Sequence, residues 1–254
     1  MLKYSHTKPM FFVLLAALAL SDFYFFTPFW AYLILVIVFM ADIGFGAANM
    51  QCNYFLDATT RVNTLEKKIA ITFDDGPCEN TPKLLEILQK HKAKATFFCI
   101  GKNVEKHPEI VKSIHEQGHT IGNHSFSHHF FIDFFGKKRM IKEISHTDEA
   151  IEKITGEKPV FFRPPYGVTN PPIAKALKKT GHKAIGWNIR SLDTLRKKDE
   201  KLVKQIKSKI SPGAILLFHD HVEKSDWLLE EILTIATKKG YTCVGLDELV
   251  SIKH

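Results

Sequence analysis

The stretch Lys67-Lys68-Ile69-Ala70-Ile71-Thr72-Phe73-Asp74-Asp75-Gly76-Pro77 decides the fold. Its continuous apolar middle, bounded by lysines and a Gly-Pro turn, reads as a short buried strand. The strand runs directly into two adjacent carboxylates. At the exit of a buried strand such a pair repels itself unless a cation or a base offsets the charge. Alternation along the strand also points Asp74 and Asp75 in different directions. One is then free to bind a metal while the other serves as a base. Asp-Gly-Pro alone reads as a plain turn, but turns are normally wet and this one follows a hydrophobic strand.

Working outward, short apolar runs alternate with amphipathic stretches. Further strands are expected at Ala95–Ile100, His119–Gly122, Val160–Phe162, Lys183–Trp187, Ala214–Phe218 and Thr242–Gly245. Helices are expected at Thr81–His91, Val104–Gln117, Lys138–Thr155, Pro172–Thr180, Lys198–Lys209 and Trp227–Lys239. Gly118, Gly156, Gly181 and Gly240 close helical patterns, and Thr81-Pro82 opens one. The alternation predicts a parallel α/β domain, either a barrel or an open sheet, with chemistry at the carboxyl ends of its strands.

Those ends carry unusual residues. After the third strand comes Asn123-His124-Ser125-Phe126-Ser127-His128-His129. One helical turn would put His124 and His128 on the same side. With Asp75 they make a 2-His-1-carboxylate ligand set that leaves positions for water and substrate, and His129 is a spare. The fourth strand ends in Arg163-Pro164-Pro165-Tyr166-Gly167. A buried arginine needs an acidic partner, and a proline-stiffened loop can present a backbone N–H to an oxyanion. The sixth strand ends in Leu217-Phe218-His219, with either Asp193 or Asp220 as a carboxylate able to raise the histidine's pKa.

The first fifty residues are different. Met10–Leu20 and Phe29–Ala41 are uninterrupted apolar runs joined by an aromatic link. With their flanks they give two expected membrane helices, Met10–Phe26 and Pro28–Phe45, in a hairpin. A cleaved signal peptide is the alternative, with Lys3 and Lys8 before the first run. Basic residues flank the hairpin on both sides, so charge leaves the domain's side of the membrane open. Residues 51–66 read as a linker and 67–254 as the catalytic domain. The chain's formal charge of +8 is spread as scattered lysines without an arginine-rich stretch, which reads as a solvated face and not as a nucleic-acid surface. Cys52, Cys78, Cys99 and Cys243 show no metal-type spacing.

In order, Thr72-Phe-Asp-Asp-Gly-Pro77, His124-Ser-Phe-Ser-His128, Arg163-Pro-Pro-Tyr-Gly167 and Leu217-Phe-His219 resemble the successive motifs of the polysaccharide deacetylases, the NodB-homology group or carbohydrate esterase family 4. The resemblance covers about residues 67–249. It implies a distorted (β/α) barrel of seven to eight strands. It implies Asp74 as catalytic base, and Asp75, His124 and His128 as ligands of a divalent ion, usually zinc, with cobalt or manganese in some members. Arg163 then orients the base, His219 is the general acid and Asp193 supports it. The resemblance also implies the Tyr166 backbone N–H as oxyanion donor and Leu217 as a lining of the acetyl pocket, and Pro165 is expected among the substrate-binding residues. The family often has Asp-Trp where this chain has Asp193-Thr194, so the acetyl pocket or the sugar platform is differently built here.

The expected activity is hydrolysis of N-acetyl groups from N-acetylglucosamine units of an envelope polysaccharide, foremost peptidoglycan, by an enzyme held in the cell membrane and facing the envelope. Chitin oligomers, another polysaccharide or O-acetyl esters are nearer alternatives. A non-catalytic glycan-binding module and a membrane scaffold are alternatives of other classes. The expected partners are the polysaccharide and membrane lipid, with no nucleic acid and no obligate protein partner.

Overall fold

The structure, a computed structural model, describes residues 2–194 and 200–251. Helix α1 (Tyr4–Tyr24) and helix α2 (Phe29–Ala48) precede the α/β part. The strands are β1 (Ala58–Thr59), β2 (Lys68–Asp74), β3 (Ala95–Cys99), β4 (Thr120–Asn123), β5 (Phe161–Phe162), β6 (Lys183–Ile185), β7 (Ile189–Arg190), β8 (Ile215–His219) and β9 (Thr242–Cys243). Between them run α3 (Thr81–Lys90), α4 (Gly101–Lys106), α5 (Pro108–Glu116), α6 (Lys137–Thr155), α7 (Pro171–Thr180), α8 (Glu200–Lys209) and α9 (Ser225–Lys238), and α10 (Leu246–Ser251) follows.

The named strands form one parallel sheet in the order β1-β6-β5-β4-β3-β2-β8-β7, with β9 also on β2. β6 and β7 belong to one stretch of chain, the first half paired to β5 and the second to β8. That stretch links the two ends of the sheet and curls it into a distorted (β/α) barrel. β2 lies at the centre because it can be buried on both faces. Its Ile69, Ile71 and Phe73 join the layer under the helices, where Phe73 stacks on Phe97 with ring centroids 4.9 Å apart. Ala70 faces the barrel interior with Phe98, Ile185 and Ile215. Burying one such phenylalanine contributes about 1.5–3 kcal/mol.

Two local expectations change. The helix expected over Val104–Gln117 is broken into α4 and α5 at His107 (φ −130°, ψ 55°). Pro108 has no N–H to continue the ladder and disfavours helical backbone in the residue before it. The stretch read as a linker supplies β1, which pairs with β6, and it buries Tyr54 and Val62. Of the helix expected over Lys198–Lys209, α8 is described from Glu200 on; Lys198 and His254 lie outside the described residues.

α1 and α2 pack side by side, Phe11 stacking on Phe39 at 4.2 Å. Both are long and apolar enough to cross a membrane, and few residues of either are buried. They extend beyond the expected bounds, toward the barrel, where their ends meet on Tyr54. The Tyr4 N–H donates to the Tyr54 carbonyl, and Thr7 Oγ1 lies 2.6 Å from the Tyr54 hydroxyl. That hydroxyl also donates to Asp42, and the ring packs on Gly46. The beginning of the chain and the barrel therefore lie at the same end of the hairpin.

Candidate active site

At the carboxyl end of the barrel the last residue of β2, Asp74, is buried and turned inward. Arg163, entirely buried after β5, donates from Nη1 to Asp74 Oδ1 at 2.7 Å. The same Nη1 donates to Thr72 Oγ1 at 2.7 Å, Nη2 to the Gly186 carbonyl at 2.9 Å and Nε to the Ile185 carbonyl at 3.3 Å. The guanidinium also lies over the Phe98 ring at 4.1 Å. The buried charge thus has the partners its desolvation demands, and the acidic partner expected for Arg163 is Asp74.

Asp75, one residue on, adopts φ +74° and turns toward His124 and His128. Its Oδ1 lies 3.5 Å from His124 Nε2 and 3.2 Å from His128 Nε2. Ligands of a tetrahedral ion with bonds of ~2.0–2.1 Å stand roughly 3.3–3.4 Å apart, so the spacing fits. Asp75 Oδ1 is buried without a hydrogen-bond partner, which suits it to binding a cation. His124 Nδ1 lies 2.7 Å from the Arg163 carbonyl; donating its proton there leaves the Nε2 lone pair toward Asp75. Asp75, His124 and His128 are the residues that could hold a metal ion here.

The convergence of the imidazoles is not achieved by a helical turn. Residues 124–128 form a loop, with Ser125 at φ +65° and His128 at φ +45°. Glu143 of α6 closes it, accepting from the Phe126 and Ser127 N–H groups at 3.1 and 2.7 Å and from Ser127 Oγ. Asn123 braces its start: Oδ1 accepts from the Ser125 N–H, and Nδ2 donates to Asp148. His129 turns away, exposed, with Nδ1 accepting from the Phe131 N–H, and takes no part in the cluster.

The electrostatics follow from this crowding. Burial raises the Asp75 pKa, but the adjacent His124 imidazole, with His128 and His219 behind it, holds it well below the usual carboxylate range. Burial lowers His124, and the charges of Asp74 and Asp75 more than reverse it. A proton and a cation therefore compete for its Nε2. His128 stays below its ordinary value, through burial and the neighbouring His124.

Beside Asp74, on the adjacent strand, His219 ends β8. Of the two carboxylates left open for it, the structure selects Asp193. Asp193 Oδ1 lies 2.9 Å from His219 Nδ1, and Oδ2 accepts from the His219 N–H at 2.8 Å and from Ser225 Oγ at 3.1 Å. Although burial pushes the imidazole pKa down, Asp193 and the charge of Asp74 pull it above the ordinary value. Asp220 has another place: Oδ2 accepts from Thr81 Oγ1 at 2.7 Å, and burial pushes its carboxyl up to about 7. A Cβ on Gly76 would sit 1.8 Å from that oxygen, so glycine is required in the turn after Asp75.

The remaining expected residues have the following places. Leu217 is buried on β8, on the face shared by Ile215 and His219 and opposite the helix-side Leu216 and Phe218. Pro165 is buried; Tyr166 is half-exposed at φ +58° with its ring on His128. Trp187 packs on Gly167 and 5.6 Å from the Arg163 guanidinium, and Thr194 is exposed. Cys78 is outside the metal cluster, and the cysteines are free thiols. Sequence reasoning missed Glu143 and Asn103, whose Nδ2 donates to the Asp75 carbonyl, and His221, whose Nδ1 lies 3.6 Å from Asp75 Oδ2. The histidine after His219-Asp220 was the one legible signal among them.

A family model described as polysaccharide deacetylase matches residues 61–185. A peptidoglycan-N-acetylglucosamine deacetylase of Bacillus cereus is 35% identical over 202 residues, covering 77% of this chain and 94% of its own. The chain belongs to the polysaccharide deacetylase family. Another relative is the peptidoglycan-N-acetylmuramic acid deacetylase PdaA of Bacillus subtilis, 34% identical over 204 residues, 78% of this chain and 77% of its own. The barrel of this polysaccharide deacetylase is also similar to a crystallised peptidoglycan N-acetylglucosamine deacetylase in complex with an N-oxidanyl-benzamide. The two share a TM-score of 0.71 and 32% identity, over 75% of this chain and 91% of that one. The family resemblance carried by the motifs is thereby shown, and a polysaccharide deacetylase is a hydrolase.

Proposed function

We propose that the protein is a metal-dependent N-deacetylase of peptidoglycan, acting on N-acetylglucosamine units and held at the cell membrane by the α1–α2 hairpin. The observation that carries this reading is the facing pair Asp74 and His219, which are register partners on β2 and β8. An ion-paired carboxylate and a carboxylate-supported imidazole thus flank the space in front of the ligand set, as opposed proton transfers require.

A divalent ion held by Asp75, His124 and His128, zinc by donor type with cobalt or manganese as alternatives, supplies polarisation of the acetamide carbonyl and a more acidic water. Asp74, oriented by Arg163, takes the proton of the attacking water. The Tyr166 N–H donates to the developing oxyanion, and Leu217 with Pro165 encloses the methyl group. His219, held by Asp193, delivers a proton to the departing amine. The products are acetate and a free amino sugar. The catalytic domain takes in residues 67–254, with β1 from the preceding stretch as part of its sheet.

The named substrates of the relatives support peptidoglycan. A second reading, deacetylation of N-acetylmuramic acid units, is supported by the substrate named for the PdaA relative. Digesting treated peptidoglycan and assigning the new free amines to glucosamine or muramic acid decides between them. Acetate release that survives undiminished in His124→Ala/His128→Ala protein removes the metal-dependent reading.

A further inference from the structure

The segment after the second histidine ligand carries an aromatic patch that the reaction does not use. Phe130, Phe131 and Phe134 are 76%, 56% and 85% exposed. Between them Ile132, and after them Phe135, plug into the core cluster that also contains Met50, two residues after the end of α2. Lys137, Lys138 and Arg139 follow, all exposed. The loop is tied to the root of the hairpin. Asn170 Nδ2 donates to the Asp133 carbonyl at 2.7 Å, and the adjacent Thr169 N–H donates to the Ala47 carbonyl, near the end of α2, at 2.9 Å. Gln51 Nε2 donates to the carbonyl of Trp187, the residue packed beside Arg163. The hairpin therefore leaves the barrel on its catalytic face, next to the loop.

So many exposed phenylalanines in one short loop are disfavoured in water and mark a contact surface. Aromatic side chains followed by basic ones, beside an apolar hairpin, match the interfacial layer of a bilayer with anionic headgroups. We infer that Phe130, Phe131 and Phe134 dock on the anionic membrane surface from which the α1–α2 hairpin rises, so that the catalytic face opens along the bilayer. The inference rests on the reading of the hairpin as a membrane anchor. It confines the enzyme to glycan lying against the membrane and commits the patch to lipid, with a glycan platform as the competing occupant.

The test uses the full chain in phosphatidylglycerol-containing vesicles, labelled with an environment-sensitive dye at Phe134→Cys or, separately, at Ile37→Cys in α2. Labelling of the parent chain at its own cysteines is subtracted. Nitroxide lipids carrying the quencher near the headgroup are expected to quench the Phe134 probe at least twofold. An unquenched Phe134 probe with an Ile37 probe quenched by deep nitroxides overturns the inference and leaves the anchor. If neither probe is quenched, the anchor reading itself fails and takes the inference with it. The combined Phe130→Ser, Phe131→Ser, Phe134→Ser protein is expected to deacetylate soluble N-acetylglucosamine oligomers in detergent within twofold of the parent. A loss of tenfold or more there assigns the patch to glycan and overturns the lipid assignment.

Discussion

Asp74 and His219 are register partners at the ends of adjacent parallel strands, and each is held by its own buried counter-charge, Arg163 for the first and Asp193 for the second. The barrel thus sets a carboxylate and an imidazole side by side, each with a counter-charge of its own. Neither arrangement is replaceable by the other, because a guanidinium favours a proton acceptor and a carboxylate favours a proton donor.

Asp193→Asn tests the donor side. The His219 pKa lies above its ordinary value: burial opposes this, and the Asp193 hydrogen bond and the charges of Asp74 and Asp193 prevail. In the proposed mechanism the protonated form is the active one, so activity is expected below this pKa and lost as pH rises through it. Removing the Asp193 charge lowers the pKa and moves the alkaline limb of kcat/KM to lower pH. A kcat loss of about 10²–10⁴-fold accompanies it, the range for a positioned general acid. A limb that stays in place separates Asp193 from His219 function.

Arg163→Ala and Arg163→Lys test the acceptor side. Removing the guanidinium leaves the Asp74 carboxylate buried and unpaired, which costs about 3–5 kcal/mol of stability. Lysine restores the charge without the fork that meets Asp74, Thr72, Ile185 and Gly186 together. Both variants are expected to unfold at clearly lower denaturant concentration, and Arg163→Lys is expected to recover less than a tenth of the lost acetate release. Full recovery by lysine shows that charge alone suffices.

Glu143→Ala tests the support of the ligand loop. Glu143 accepts from both N–H groups between Ser125 and His128, so its loss frees the backbone that carries His128. Disturbing the groups that orient metal ligands typically lowers affinity 10–100-fold. Zinc titration by calorimetry is expected to show a loss of this size with the circular-dichroism spectrum retained. Chelation is expected to abolish acetate release in the parent, with added metal restoring it. Unchanged zinc affinity in Glu143→Ala removes Glu143 from the support of the site.

The contrast between Glu143 and the ligands shows what sequence can carry. β2 was legible because an unbroken apolar strand ending in two carboxylates has few other meanings. His124 and His128 were legible by spacing, yet the helical turn assumed for them was wrong: positive-φ residues bring the rings together. The choice between Asp193 and Asp220 needed the three-dimensional path, since only packing decides which carboxylate reaches His219. β1 is two residues long and carries no period to read. Glu143 lies on an ordinary polar helix face, and only the loop folding over α6 gives it a role. Pro108 could have been read as the break between α4 and α5, because proline interrupts a helix locally.

His119 provides a pH dependence of stability apart from the catalytic pocket. It is buried beside β3, where its Nδ1 accepts from the Ala95 N–H at 3.2 Å, which requires the neutral ring. Burial, with the nearby charge of Lys94, lowers its pKa from 6.5 to about 4. Below pH 6.5 the unfolded chain binds the proton more readily, so stability falls as pH drops from about 6.5 toward 4 and is complete above that window. The contribution at neutral pH is on the order of 3 kcal/mol. The substitution His119→Asn keeps a side-chain acceptor for the Ala95 N–H and removes the titrating group. Chemical denaturation of the full chain in detergent is expected to show a flatter stability–pH slope for this variant between pH 4 and 6.5, by up to one proton's worth. An identical slope in parent and variant assigns the acid sensitivity to other groups.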